Sequence, residues 1–220
     1  MTQHAPLFIV LLPVSAALLC MLFSRIQKNL GSWIVIASIA GAFLSAVSSL
    51  QQVIADGGKA LHYWMGNWQP PLGIEFVIDP ISGALAVLIT FIALLGSLYS
   101  LPFVKEEGWL HIGGYYTLYG LMTVGMCGMV ITGDVFNLYV FLEVMSLSGY
   151  GLIAIGGKKS MLAAFRYLLI GTIGASLYLL GVGYMYALTG TLNMADMAVR
   201  AAEFLNYPLF ALALACFVVG

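Results

Sequence analysis

An all-α, polytopic membrane helix bundle is the fold class the sequence predicts, and three observations predict it. Hydrophobic residues make up 62% of the 220 positions and charged residues only 8%, where a soluble domain carries about a quarter. The mean hydropathy is +1.02. The apolar residues fall in long runs separated by short polar connections, the pattern of successive membrane spans. A net charge of −1 with no basic cluster excludes a nucleic-acid partner. The surroundings this composition implies are a lipid bilayer and other membrane helices.

The first span is residues 6–23. No Lys or Arg precedes it, while Arg25 and Lys28 follow it, so it reads as a retained helix and not as a cleaved signal. The second is residues 31–50. The connection 52–80 holds Trp64, Trp68, Pro70, Pro71 and Gly73, which mark turns and a headgroup-level position. Its β-rich run, Ile74 to Ile78, predicts one strand of an interfacial hairpin, with Glu75 and Asp79 as turn and cap residues. The third span is residues 81–104 and the fourth residues 114–131, with Trp109, Tyr115 and Tyr116 as interface anchors. The fifth is residues 135–155, with Asp134 placed to cap its start. The sixth is residues 161–188, and Gly171, Gly174 and Ser176 on it offer small surfaces for close helix packing.

Asn193, with Asp196 three residues on, predicts the start of a short helix lying on the membrane surface. Met194, Met197, Ala201 and Leu205 would share its apolar face. A seventh span opens near residue 208 and has about 13 residues where roughly 20 are needed. The expectation is therefore one membrane domain over residues 1–220, truncated in its seventh span.

Charge placement predicts orientation. Arg25, Lys28, Lys105, Lys158, Lys159 and Arg166 cluster at the odd-to-even connections, and only Lys59 and Arg200 lie opposite. The positive-inside rule then puts the N-terminus outside, in a multi-pass protein of the cell's inner (plasma) membrane.

The most telling residue is Glu143. It falls about eight residues into the fifth span, roughly 13 Å deep at 1.5 Å per residue. A carboxylate at that depth costs on the order of 2.5–3.5 kcal/mol, and such residues typically serve ion or proton movement. Steps of three and four residues from Glu143 reach Tyr139, Ser146 and Tyr150, giving one polar stripe on an oily helix. A carboxyl there is pushed up in proton affinity by desolvation and down by a nearby cation, so it can exchange protons near neutral pH. The competing reading is a protonated glutamate satisfied inside a helix contact. Asp134, at the outer mouth, and Arg166, inside the sixth span, are accessory candidates.

Cys20, Cys127 and Cys216 lie in apolar spans at unrelated spacings, and His4, His62 and His111 are scattered near span ends. No metal framework, phosphate loop or cofactor motif is visible, so no cofactor and no redox chemistry are expected of this chain.

Three stretches carry a resemblance. Residues 66–79, from Gly66 through Trp68 and Ile74 to Asp79, resemble the outer loop and strand before the third helix of the D-type subunits of Mrp cation/proton antiporters. Residues 132–144, with Asp134, Asn137 and Glu143, resemble the fifth-helix motif of the antiporter-like membrane subunits shared by Mrp antiporters, respiratory complex I and membrane-bound hydrogenases. Residues 189–196, with Asn193 and Asp196, resemble the loop before the seventh helix. The resemblance implies a fold of about fourteen helices built on two inverted five-helix repeats, of which this chain supplies the leading part. It implies that Glu143 pairs with a lysine of the seventh helix, past Gly220. It implies one component of a multisubunit monovalent cation/proton antiporter, working with other membrane subunits on protons and Na+ or K+. The alternative it leaves is a proton-pumping subunit of an NADH:quinone oxidoreductase-like or hydrogenase complex.

Overall fold

The computed structural model describes residues 4–27, 29–71, 73–104 and 109–220. Lys28 and Lys105, two of the orientation-setting charges, lie outside the described residues, as does the side chain of Trp109. In chain order the elements are α1 (Ala5–Ile26), α2 (Leu30–Ala55), β1 (Leu61–Trp64), β2 (Glu75–Ile78), α3 (Pro80–Val104), α4 (Trp109–Ile131), α5 (Val135–Ala154), α6 (Lys158–Thr189), α7 (Met194–Ala201) and α8 (Pro208–Val219). Among the described residues, 6 helices are long and apolar enough to cross a membrane. The chain is a multi-pass helical membrane bundle.

α1 packs between α2 and α4; α3 closes against α2 and α4; α4 carries α5; and α6 bridges α5 to α8. Inside a bilayer the lipid is as apolar as the side chains, so helices associate through close packing. Small residues accordingly fill the contacts: Ala16, Ala17, Ala42, Ala46, Ala86 and Ala93 are all buried. Long apolar side chains such as Leu18, Leu44, Phe103 and Ile170 point outward. Hydroxyls inside the spans donate back to their own helix, as Thr90 does to the Ala86 carbonyl (2.7 Å) and Ser148 to Val144 (2.6 Å).

The α4–α5 contact depends on Gly125. A Cβ there would stand 2.6 Å from the Met145 amide nitrogen and 2.7 Å from the Phe141 carbonyl oxygen. Both are backbone atoms of α5 and cannot swing aside. Gly125→Ala is therefore expected to push the two helices apart and destabilise the bundle by about 1–3 kcal/mol, read as a lower melting temperature in detergent.

The predicted strand at 74–78 has its partner in β1. The two pair antiparallel, Leu61 opposite Ile78 and Trp64 opposite Glu75. Trp64 and Trp68 remain exposed, as a headgroup position requires. Asp79 caps α3: its Oδ1 accepts from the N–H of Ile81 (3.0 Å) and of Ser82 (2.7 Å), while its own N–H donates to Ser82 Oγ (2.8 Å). The Ser82 N–H, chiefly, holds the Asp79 carboxyl below the usual aspartate range. Asp79→Ala should cost about 1 kcal/mol. A depressed carboxyl stabilises above its unfolded pKa of about 3.9 and loses that contribution as pH falls through the folded value. The difference between wild type and variant should therefore be full at neutral pH and shrink in acid, measured by thermal unfolding.

Some expectations shift. α6 begins at Lys158 and not at residue 161, so Arg166 sits more than two turns into the helix. Tyr116 is no interface anchor: it is 1% exposed and hydrogen-bonded to Ser100 Oγ (3.0 Å) and the Ser97 carbonyl (3.2 Å) between α3 and α4. The short helix α7 forms as expected, with Met197 and Ala201 buried, but Leu205 lies past its end and is exposed.

Candidate functional site

The head of α5 is built by three segments that are far apart in sequence. Asp134 has extended backbone and its Oδ1 accepts the Asn137 N–H (2.7 Å), the expected N-cap. Asn137 Nδ2 donates to Thr132 Oγ1 (3.0 Å). The Val135 N–H donates to the Leu192 carbonyl (3.0 Å), the Met194 N–H to the Gly133 carbonyl (2.9 Å), and the Gly133 N–H to the Glu75 carbonyl (3.0 Å). Asp134 is 8% exposed. Burial pushes its carboxyl up, against the opposing pull of the Asn137 and Phe136 N–H groups. The helix that carries Glu143 thus starts from a fixed point shared with the hairpin and the α6–α7 connection.

From there the polar stripe runs down the face of α5 that meets α6. The Tyr139 ring stacks on Tyr178 of α6, centroids 6.4 Å apart at 8°. The Tyr178 hydroxyl donates to the Val135 carbonyl (3.2 Å). Towards the other end of α5, Tyr150 meets Tyr167 edge-on at 5.6 Å. Its hydroxyl rests on Gly171, where any Cβ would collide with it. Ser146 and Tyr150 line a cavity of about 180 Å³ together with Met122, Met126, Met145 and Tyr167. Glu143 lies between Tyr139 and Ser146 on this face and is half-buried. Among the described residues its carboxylate takes no hydrogen bond and no ion pair. The stripe therefore faces protein and not only acyl chains, and leaves its acid open to a partner.

Arg166 is exposed, and no described side chain pairs with it. Its neighbour Tyr167 touches Tyr150, which places Arg166 toward the far end of the stripe. The structure brings Asp134, Tyr139, Glu143, Ser146 and Tyr150 onto one helix and does not bring Arg166 to the acid.

One polar cluster is missed by sequence reasoning. Glu75 is neither a turn nor a cap residue: it is 5% exposed. Its Oε1 accepts from Asn193 Nδ2 (2.6 Å) and its Oε2 meets His62 Nδ1 (3.2 Å). Asn193 simultaneously caps α7, its Oδ1 accepting the Asp196 N–H (3.1 Å). The signal in the sequence is a lone charge inside an apolar β run, Ile74-Glu75-Phe76-Val77-Ile78. Phe76 and Ile78 are buried on the opposite face of β2, in the apolar core beside Val124, Ile131 and Phe141, so Glu75 is the charge on a strand whose other face is core.

Comparison with known proteins adds an independent line. Residues 132–220 match the family described as NADH:quinone oxidoreductase/Mrp antiporter, TM. The whole chain is 43% identical over 220 residues to the N subunit of the NADH-quinone oxidoreductase of Desulforudis audaxviator, covering 44% of that protein. It is 33% identical over 195 residues to the D subunit of the Na(+)/H(+) antiporter of Bacillus subtilis, covering 88% of this chain and 38% of that protein. Among solved structures, a chain of the membrane-bound sulfane sulfur reductase, an archaeal respiratory membrane complex, superposes with a TM-score of 0.90 at 31% identity, over 99% of this chain and 44% of that one. A chain of the Mrp complex from Dietzia sp. DQ12-45-1b does so with a TM-score of 0.75 at 26% identity, over 97% and 40%. The chain spans less than half the length of these relatives.

Proposed function

We propose that this chain, whose residues 132–220 match the NADH:quinone oxidoreductase/Mrp antiporter family and which is similar over its length to subunits of both kinds of complex, forms the leading part of a proton-translocating subunit whose working acid is Glu143. The observation that carries this reading is the position of Glu143: within a spanning helix, on the stripe facing α6, with no described partner. A carboxyl group can carry a proton, and a cation beside it favours the charged form. The answering cation is the lysine that the family resemblance puts on the helix opened by α8, past Gly220. Breaking and re-forming that pair is the step at which Glu143 takes up and gives up the proton it carries. Neighbouring membrane subunits would drive the alternation, with the N-terminus and the hairpin on the outer face.

Two settings fit. The relatives named as D subunits of antiporters support a monovalent cation/proton antiporter exchanging Na+ or K+ for protons. The 43% identity to the N subunit of an oxidoreductase and the TM-score of 0.90 to a respiratory complex favour the second setting, a proton pump driven by a redox partner. Vesicles carrying the full-length protein with its native partners separate them. Proton movement driven by a Na+ or K+ gradient without any electron donor identifies the antiporter; movement only during electron transfer identifies the pump. Proton movement in neither condition overturns the proposal.

A further inference from the structure

We infer that His62 and Glu75 form a proton-exchange site through which the aqueous phase on the hairpin side delivers protons toward the head of α5. The inference rests on the proton-translocation reading and extends it to residues outside the Glu143 stripe.

The geometry sets an exposed base against a hidden acid. The Glu75 side chain is 6% exposed and the His62 side chain 51%. His62 lines a cavity of about 490 Å³ beside His4 and Tyr63, and another of about 240 Å³ beside Glu75, Asp79 and Thr132. It is the residue common to both, so the imidazole links the outer cavity to the buried carboxylate. Asn193 holds Glu75 by Oε1 at 2.6 Å, which leaves Oε2 turned to His62 Nδ1 at 3.2 Å.

The step balances with hydronium as the proton source. Hydronium protonates His62 Nε2 and becomes water. The Nδ1 proton then passes to Glu75 Oε2, and the ring is left neutral with its proton on Nε2. Imidazole suits the task because one ring nitrogen can accept a proton while the other gives one up. Thr132, on the same cavity wall, receives the Asn137 side chain of the first turn of α5, and the Gly133 N–H holds the Glu75 carbonyl. The site thus abuts the helix of Glu143.

Other charges around it are accounted for. Asp79 shares the cavity and is the cap of α3. Asp134 is turned into its own helix cap. Asp196 is paired with Arg200 (2.9 Å), and His4 is bonded to the Tyr63 hydroxyl (3.0 Å).

The contrasting role for the cluster is a plain fastener between hairpin and connections. The full-length protein, assembled with its partners in vesicles, separates the two when pH is varied on the hairpin side alone. His62→Ala should slow proton movement about tenfold or more at the alkaline end, and added imidazole should restore it. Glu75→Gln, which keeps an acceptor for Asn193, should remove the dependence on hairpin-side pH. Should Glu75→Gln fail to assemble, the surface variant His62→Ala carries the test by its imidazole rescue. Wild-type rates and pH dependence in the assembled variants, beside an inactive Glu143→Gln, overturn the site. So does a loss that imidazole leaves unchanged and that tracks a lower melting temperature. An active Glu143→Gln removes the underlying reading instead.

Discussion

Glu143→Gln is expected to abolish proton movement in the full-length, assembled protein while the complex still forms. Glutamine has the shape of a protonated glutamate but cannot release or take up a proton, so the substitution removes the chemistry and leaves the packing. Loss of a positioned acid–base group typically costs about 10²–10⁴-fold in rate, and a transfer chain with one member missing falls at the upper end. Stability should change little, because Glu143 is half-buried and no described residue bonds to it. Glu143→Asp keeps the charge but withdraws the carboxyl by one methylene, and an intermediate rate is expected. The measurement is a pH-indicator flux in vesicles, normalised to assembled complex.

Asn193→Ala is expected to destabilise the hairpin side of the bundle most. Two losses combine in one side chain. The α7 cap disappears, worth about 1 kcal/mol, and the buried Glu75 Oε1 loses its 2.6 Å donor, worth about 1–3 kcal/mol. The expected sum is about 2–4 kcal/mol, with faster hydrogen exchange in α7 and in the hairpin. Asn193→Asp separates the two contributions. It keeps an oxygen for the Asp196 N–H but sets a second carboxylate against Glu75. Two carboxylates in contact resist joint ionisation, so this variant should gain stability on acidification. The Asn193→Ala variant lacks that repulsion, so its recovery on acidification should be smaller.

Much of the fold is legible in the sequence because a bilayer imposes simple rules. Span length, capping residues and turn residues follow from hydrocarbon thickness and backbone chemistry. Asp134, Asn193 and Asp79 cap the helices they were expected to cap, since a cap is decided within three or four residues of chain. The α5 stripe is legible for the same reason: helical spacing alone sets Tyr139, Glu143, Ser146 and Tyr150 on one face. What that face meets is not legible. The contacts with Tyr178, Tyr167 and Gly171 depend on how α6 lies against α5.

Glu75 shows where local rules stop. Its partners are 13 and 118 positions away, and its neighbours Pro70, Pro71 and Gly73 suggest a turn. Only the folding of three connections onto one another buries it. Tyr116 is misplaced for a similar reason: an aromatic near a span end suits the interface, and the Ser97–Ser100 turn of α3 that claims its hydroxyl is not visible from α4.

Proton translocation through this chain requires that one side chain change protonation while the complex turns over. An infrared difference spectrum of the working full-length complex reports this directly, as a protonated-carboxyl band appearing and disappearing during transport. The predicted result is a band that shifts with isotope-labelled glutamate and is missing in Glu143→Gln. A difference spectrum that keeps every wild-type carboxyl band after that substitution would contradict a working role for Glu143.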